Sequence, residues 1–208
     1  MNVISMGQRD QLRLVFEALD AHKGVRVIVL RSVGEHFSSG GDIKGFSKRR
    51  RSTFRSWPGT SRRPARCEKP VIVANRGYTF GVGFERVPGC DFRIASQTTR
   101  YALPEQNLGQ IPGSGGSARL QKIIGITRTK QHGDARQNAS RRPGLCLGIA
   151  TEVVPDSELE STVDALVDEL RRFSPLAQRN GEKTDQRQRR CAADRRDRNG
   201  RSLLQPPA

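Results

Sequence analysis

Pro70-Val71-Ile72-Val73-Ala74-Asn75, Gly81-Val82-Gly83-Phe84-Glu85 and Leu103-Pro104-Glu105 are the runs whose reading decides the fold, and all lie between Pro70 and Gly116. The first is apolar and rich in β-branched residues, the pattern of a strand covered on both faces. The glycines of the second lead from it into a helix, so Glu85 is expected in that helix's first turn, beside backbone N–H groups that have no intrahelical acceptor. Glu105 follows a proline in a loop that then meets Gly109, Pro112, Gly113, Gly115 and Gly116, more breakers than a plain surface connection needs. Either glutamate alone has an ordinary reading: the first complements a helix dipole and the second is a loop carboxylate. Together they mark where chemistry is expected.

Working outward, Leu12, Val15, Phe16 and Leu19 recur at helical spacing, which predicts a helix from Gln8 to about Ala21 with Ser5 as its N-cap. Val25 to Arg31 reads as a second strand buried on both faces. Phe37-Ser38-Ser39-Gly40-Gly41-Asp42 is a loop whose glycines let backbone N–H groups approach a ligand, because no Cβ stands in the way. Ser114 is the expected cap of a short helix carrying Ala118, Leu120, Ile123 and Ile124. Leu159, Val163, Leu166, Val167 and Leu170 predict an amphipathic helix between Asp156 and Phe173.

At 208 residues the chain holds one core, and it is expected to form one domain. Cys67, Cys90, Cys146 and Cys191 are scattered without paired spacing, so neither a metal site nor a disulfide framework is suggested. The formal charge of +16 would ordinarily point to nucleic acid. Its distribution argues against that. Residues 48–66 carry eight Lys/Arg and no acid, residues 128–143 five against one, and residues 179–208 nine against four, which leaves the rest nearly neutral. No run is long and apolar enough to span a bilayer, and the first residues lack the layout of a signal peptide, so a cytoplasmic location is expected.

Five motifs, in order and at matching spacing, resemble the enoyl-CoA hydratase/isomerase (crotonase) family: Phe37 to Lys44, Gly77 to Glu85, Cys90 to Ala95, Leu103-Pro104-Glu105, and Gly109 to Gly116. The resemblance implies an α/β fold of the ClpP/crotonase type, a spiral of ββα turns. It also implies that the chain begins where the family's opening hairpin has just ended, so the spiral is incomplete. The core is expected over 1–178, irregular at 47–66 and 130–146, where the family pattern dissolves, and followed by a basic, disordered tail over 179–208. Family pattern resumes on the far side of each internal break at nearly unaltered spacing, which suggests shifted reading frames in a GC-rich gene.

The same resemblance implies the chemistry. Backbone N–H groups of Gly41 and Val82 would form the oxyanion hole for a thioester carbonyl, with Val82 standing where the family usually has glycine. Glu85 would hold and activate water, and Glu105 would exchange a proton with the carbon next to the thioester. Ser39, Gly40, Asp42, Ile43, Gly81, Pro104 and Gly113 are the implied substrate-binding positions. Arg86 and Pro88 depart from the family and are expected to weaken the helix that positions Glu85. The implied partner is an acyl-CoA thioester, with coenzyme A entering as part of the substrate and no separate cofactor or metal. Family members are typically trimers or hexamers, an assembly the altered C-terminal part puts in question. The alternatives are isomerisation or thioester hydrolysis on the same scaffold, and a non-catalytic basic protein that binds nucleic acid.

Overall fold

Parallel pairing organises the chain. The structure, a computed structural model, describes residues 1–43, 64–133 and 148–181. Among these, β2 (Ile28–Leu30), β4 (Val71–Asn75), β6 (Phe92–Ser96) and β8 (Glu152–Val154) lie side by side in one sheet, every pairing parallel. Two smaller parallel pairs accompany it, β1 (Val3–Ile4) with β3 (Gly40–Gly41) and β5 (Tyr78–Phe80) with β7 (Arg100–Ala102). A bridge between Ser38 and Thr79 links the two pairs. Strands β2, β4 and β6 of the large sheet are thus each followed by a strand of the small layer, β3, β5 and β7, and after β5 and β7 the chain turns helical. This is the expected α/β spiral.

β4 is the axis of the packing because successive side chains of a strand point to opposite faces. Val71 and Val73 enter a core with Phe16, Phe84, Leu120 and Ile149, while Ile72 and Ala74 enter another with Leu159, Val163 and Leu170. All five residues of β4 are buried, as its unbroken apolar sequence requires. The helices are α1 (Met6–Ala21), α2 (Val82–Arg86), α3 (Gly116–Gly133) and α4 (Leu159–Arg172). Helix α4 covers the second core, and its outer edge is held by Arg31 and Arg76, which both reach Glu160, at 2.7 and 2.5 Å.

Ser5 caps α1 as expected, in a reciprocal arrangement: its hydroxyl accepts from the Gln8 N–H while the Gln8 side chain accepts from the Ser5 N–H. The face of α1 differs from the expected one. Val15 is 52% exposed, and Arg9, seven residues before Phe16, occupies the buried stripe instead. β2 is shorter than the apolar run Val25 to Arg31 suggests. Gly115, in a left-handed conformation at φ 77°, directly precedes α3, so Ser114 lies one residue too early to be its cap. Helix α3 also runs past the expected end, with a break at Gly125 where φ is 80°.

Pro88 does less harm than expected. Helix α2 ends at Arg86, and Pro88 sits at the start of a 3-10 turn, Val87–Gly89, where a missing N–H leaves no bond unmade. The irregular stretch expected over 47–66 ends in an ordered 3-10 turn, Pro64–Arg66, and 47–63 lie outside the described residues. In the second stretch 130–133 belong to α3, and 134–146 lie outside the description. Residues 175–181 are helical, so the tail expected to be disordered from 179 has its first three residues in a helix: Gln178 N–H bonds to Ser174 O, and Arg179 pairs with Glu68. Residues 182–208 lie outside the described residues.

Arg86 bears out the concern about its charge. It is 1% exposed, and its guanidinium nitrogens find no hydrogen-bond partner among the described residues. Burial, with nearby Arg9 adding to it, pushes its pKa down to about 10. An uncompensated buried cation is worse than an apolar side chain of similar volume. Arg86→Leu is therefore expected to stabilise the protein by about 2 kcal/mol, read as a higher urea midpoint with an unchanged slope.

Candidate functional site

The site forms where two glycine loops abut. A Cβ built on Gly81 would lie 3.5 Å from the Cα of Gly40, so the Gly40–Gly41 strand and the start of α2 are in contact. Gly40 and Gly81 have φ of 104° and 52°, conformations that favour glycine. Ser38 fixes the first loop, donating to Asn2 O at 2.8 Å and accepting the Gly40 N–H at 3.1 Å. Val82 opens α2, and as its first residue its N–H has no acceptor within the helix.

Glu85 lies in the first turn of α2 and is 3% exposed. Its Oε1 accepts the N–H groups of Ser114 and Gly116, at 2.9 and 3.2 Å, so the turn before α3 holds the carboxylate. Arg119 secures that arrangement from the backbone side, donating from one Nη2 to the carbonyls of Glu85 at 2.8 Å and Ser114 at 3.2 Å. A side chain on Gly116 is impossible without rearrangement, since its Cβ would lie 2.5 Å from Glu85 Cγ.

Glu105 comes from another direction, on the 3-10 turn Pro104–Leu108 that Gly109 closes in a left-handed conformation. Its Oε1 would be 3.1 Å from a Cβ at Gly81, and its buried Oε2 has no hydrogen-bond partner among the described residues. Loss of solvent raises its pKa to about 7, and the charge of Glu85 pushes in the same direction. One carboxyl is thus tied by two backbone donors, while its neighbour is poised to carry a proton near neutrality.

A cavity of about 90 Å³ joins these groups. Glu85, Glu105, Gly41 and Val82 all line it, so the four positions expected to carry the chemistry converge. Of the expected substrate-binding positions, Ser39, Gly40, Ile43, Gly81, Pro104 and Gly113 are in its wall. Asp42 is not, and its N–H is directed to Ile4 O at 3.4 Å. Sequence reasoning missed Arg9, Ser114 and Arg119. Arg9 was visible as a charge on the apolar stripe of α1, whereas nothing local marks a backbone N–H of Ser114 as a carboxylate donor. Among the described residues no His/Cys/Asp/Glu cluster suited to a metal is present, and no helix is long and apolar enough to cross a membrane.

Two glycine loops and two carboxyls of unlike environment meet in one cavity, an arrangement whose chemistry can stabilise and protonate an enolate. The sequence profile of the family described as enoyl-CoA hydratase/isomerase matches residues 1–203, and the chain belongs to that family. Its similarity to a short-chain-enoyl-CoA hydratase of Clostridium acetobutylicum is 29% identity over 199 residues, 93% of this chain and 76% of that protein. A carnitinyl-CoA dehydratase of Salmonella typhi is 33% identical over 157 residues, 74% of this chain and 60% of its own length. Among solved structures, an enoyl-CoA hydratase subunit of Geobacillus kaustophilus superposes with a TM-score of 0.80 at 30% identity, over 89% of this chain and 73% of that one. An enoyl-CoA hydratase of Bacillus anthracis superposes with a TM-score of 0.78 at 27% identity, over 86% and 72%. The protein is enoyl-CoA hydratase-like in fold and family.

Two stability measurements test the geometry. Gly116→Ala is expected to cost about 1–3 kcal/mol because the added methyl displaces Glu85, whereas Gly7→Ala, with open space around it, leaves stability unchanged or higher. Glu105→Gln is expected to stabilise the fold by up to about 3 kcal/mol above pH 7. The folded pKa lies above the unfolded value of 4.5, so the penalty of ionising Glu105 is complete above about 7 and vanishes as pH falls through 4.5. Urea unfolding of both proteins across that window would show the gain fading toward acid.

Proposed function

We propose that the protein catalyses the reversible addition of water to a 2-enoyl-CoA thioester. The observation that supports this best is the pairing in one cavity of Glu85, held by two backbone donors, with Glu105, one of whose buried oxygens has no partner among the described residues. Hydration requires a group that positions water and takes its proton, and a second group that delivers a proton to carbon. The thioester oxygen is received by the N–H groups of Gly41 and Val82. Water held by Glu85 forms the new C–O bond at the β-carbon and gives its proton to that carboxylate, while the π pair moves onto the thioester oxygen. Collapse of the enolate takes the proton of Glu105 at the α-carbon, and a proton returned through solvent resets the pair.

Migration of a double bond needs one carboxyl that shuttles a proton between carbons, so the second glutamate beside the first favours hydration. Val82 alters the wall of the site while leaving the main-chain donor in place. The charge distribution favours a thioester over nucleic acid as partner, since the buried site is formed by residues outside the basic segments.

With a purified chain and a short 2-enoyl-CoA, loss of the conjugated absorbance should report turnover. Hydration kcat/KM is expected to fall as pH rises through about 7, because only protonated Glu105 delivers the proton, and dehydration kcat/KM of the 3-hydroxyacyl-CoA should fall in parallel, since the reaction itself neither releases nor takes up a proton and needs the same single proton on the pair. Glu85→Gln and Glu105→Gln should each lower kcat by at least ~100-fold. Turnover that survives both substitutions would exclude the mechanism.

A further inference from the structure

Arg9 is a charged residue of the cavity wall that the reading above leaves unused. It lies in the first turns of α1, is 3% exposed, and lines the same wall as Glu85 and Glu105. A buried cation costs several kcal/mol of desolvation unless opposite charge answers it, and its proton affinity, lowered by burial, is supported by the charges of Glu85 and Glu105. Its place is set by local structure: the Ser5–Gln8 capping arrangement fixes the start of α1 and thereby the direction in which Arg9 leaves it.

We propose that Arg9 is a positioning residue for the two glutamates: a buried cation, delivered by α1, whose charge allows two carboxyl groups to share one cavity. The proposal rests on the hydratase reading of the site. Among the described residues, the cations around the pair are Arg9 on α1, Arg86 beside Glu85 on α2, and Arg119 on α3. Arg86 does not line the cavity, and Arg119 is directed at the carbonyls of Glu85 and Ser114. Arg9 is therefore the cation of this set that faces both carboxyls from the cavity side, and it acts on Glu105 in the direction opposite to burial.

The test is the titration of the Glu105 carboxyl, followed by ¹³C NMR on glutamate-labelled protein and assigned with Glu105→Gln, in the wild-type chain, Arg9→Gln and Arg9→Lys. Arg9→Gln should raise the midpoint by at least ~1 unit, since an opposite charge at close range shifts a carboxyl by about that much or more. The basic limb of hydration kcat/KM should move to higher pH with it. Arg9→Lys should restore the midpoint. An unmoved titration in folded Arg9→Gln overturns the proposal. If Arg9→Gln does not fold, Arg9→Lys decides, and a midpoint displaced despite the retained charge overturns it equally. Absence of enoyl-CoA turnover in the wild-type chain would remove the hydratase reading, and the titration would still report on Arg9.

Discussion

The constraint on which this structure depends is the burial of the Glu85 carboxylate. A charge taken out of water must be met by donors that do not move, and here they are the N–H groups of Ser114 and Gly116. Those donors lie about thirty residues further along the chain, so the carboxylate also joins α2 to the turn before α3. Arg119 repeats the join with two backbone carbonyls. Gly116 follows from the same constraint, because any side chain there would occupy the volume of Glu85 itself. Binding geometry and tertiary packing are thus one set of contacts.

The parallel sheet supplies the distances. The strands of the large sheet lead into the small parallel pairs, and there β3 and the start of α2, which follows β5, come into contact at Gly40 and Gly81. The main chain of Gly41 belongs to β3 and that of Val82 opens α2, with the Ser38 hydroxyl holding the neighbouring Gly40 N–H. A change of residue at 82 consequently leaves the donor where it was and acts on the shape of the wall. Glu105 belongs to a less regular element and keeps an oxygen without a partner among the described residues, as suits the proton-exchanging role proposed for it.

Much of this was legible in the sequence, for identifiable reasons. β4 announces itself because a strand covered on both faces tolerates only apolar residues along its length, and the Ser5 cap and the helical turn at Glu85 are decided by neighbours within four positions. Ten of the eleven implied site positions reach the cavity, because the family motifs encode the two loops and the Glu105 turn. What was not legible depends on partners far away in the chain. Asp42 reads like its neighbours but is directed to Ile4, and Val15 fits the helical period yet is exposed because Arg9 takes the buried stripe. Pro88 looked like a broken helix only because the end of α2 at Arg86 has no local signal.

The unequal treatment of the two carboxyls is what turns a buried acidic pair into a usable one. Had Glu105 received two such backbone donors as well, its ionised form would be favoured and it would not hold a proton near neutrality. Had both been left without donors, mutual repulsion and desolvation would favour neutral acids, and neither would take a proton from water. Here the turn at Ser114–Gly116 gives Glu85 two donors, and for Glu105 burial outweighs the backbone hydrogen bond it receives, raising it to about 7. The separation of roles therefore follows from which backbone amides each loop can aim, and a chain could keep both glutamates yet lose that separation through a shift of the 113–116 turn alone.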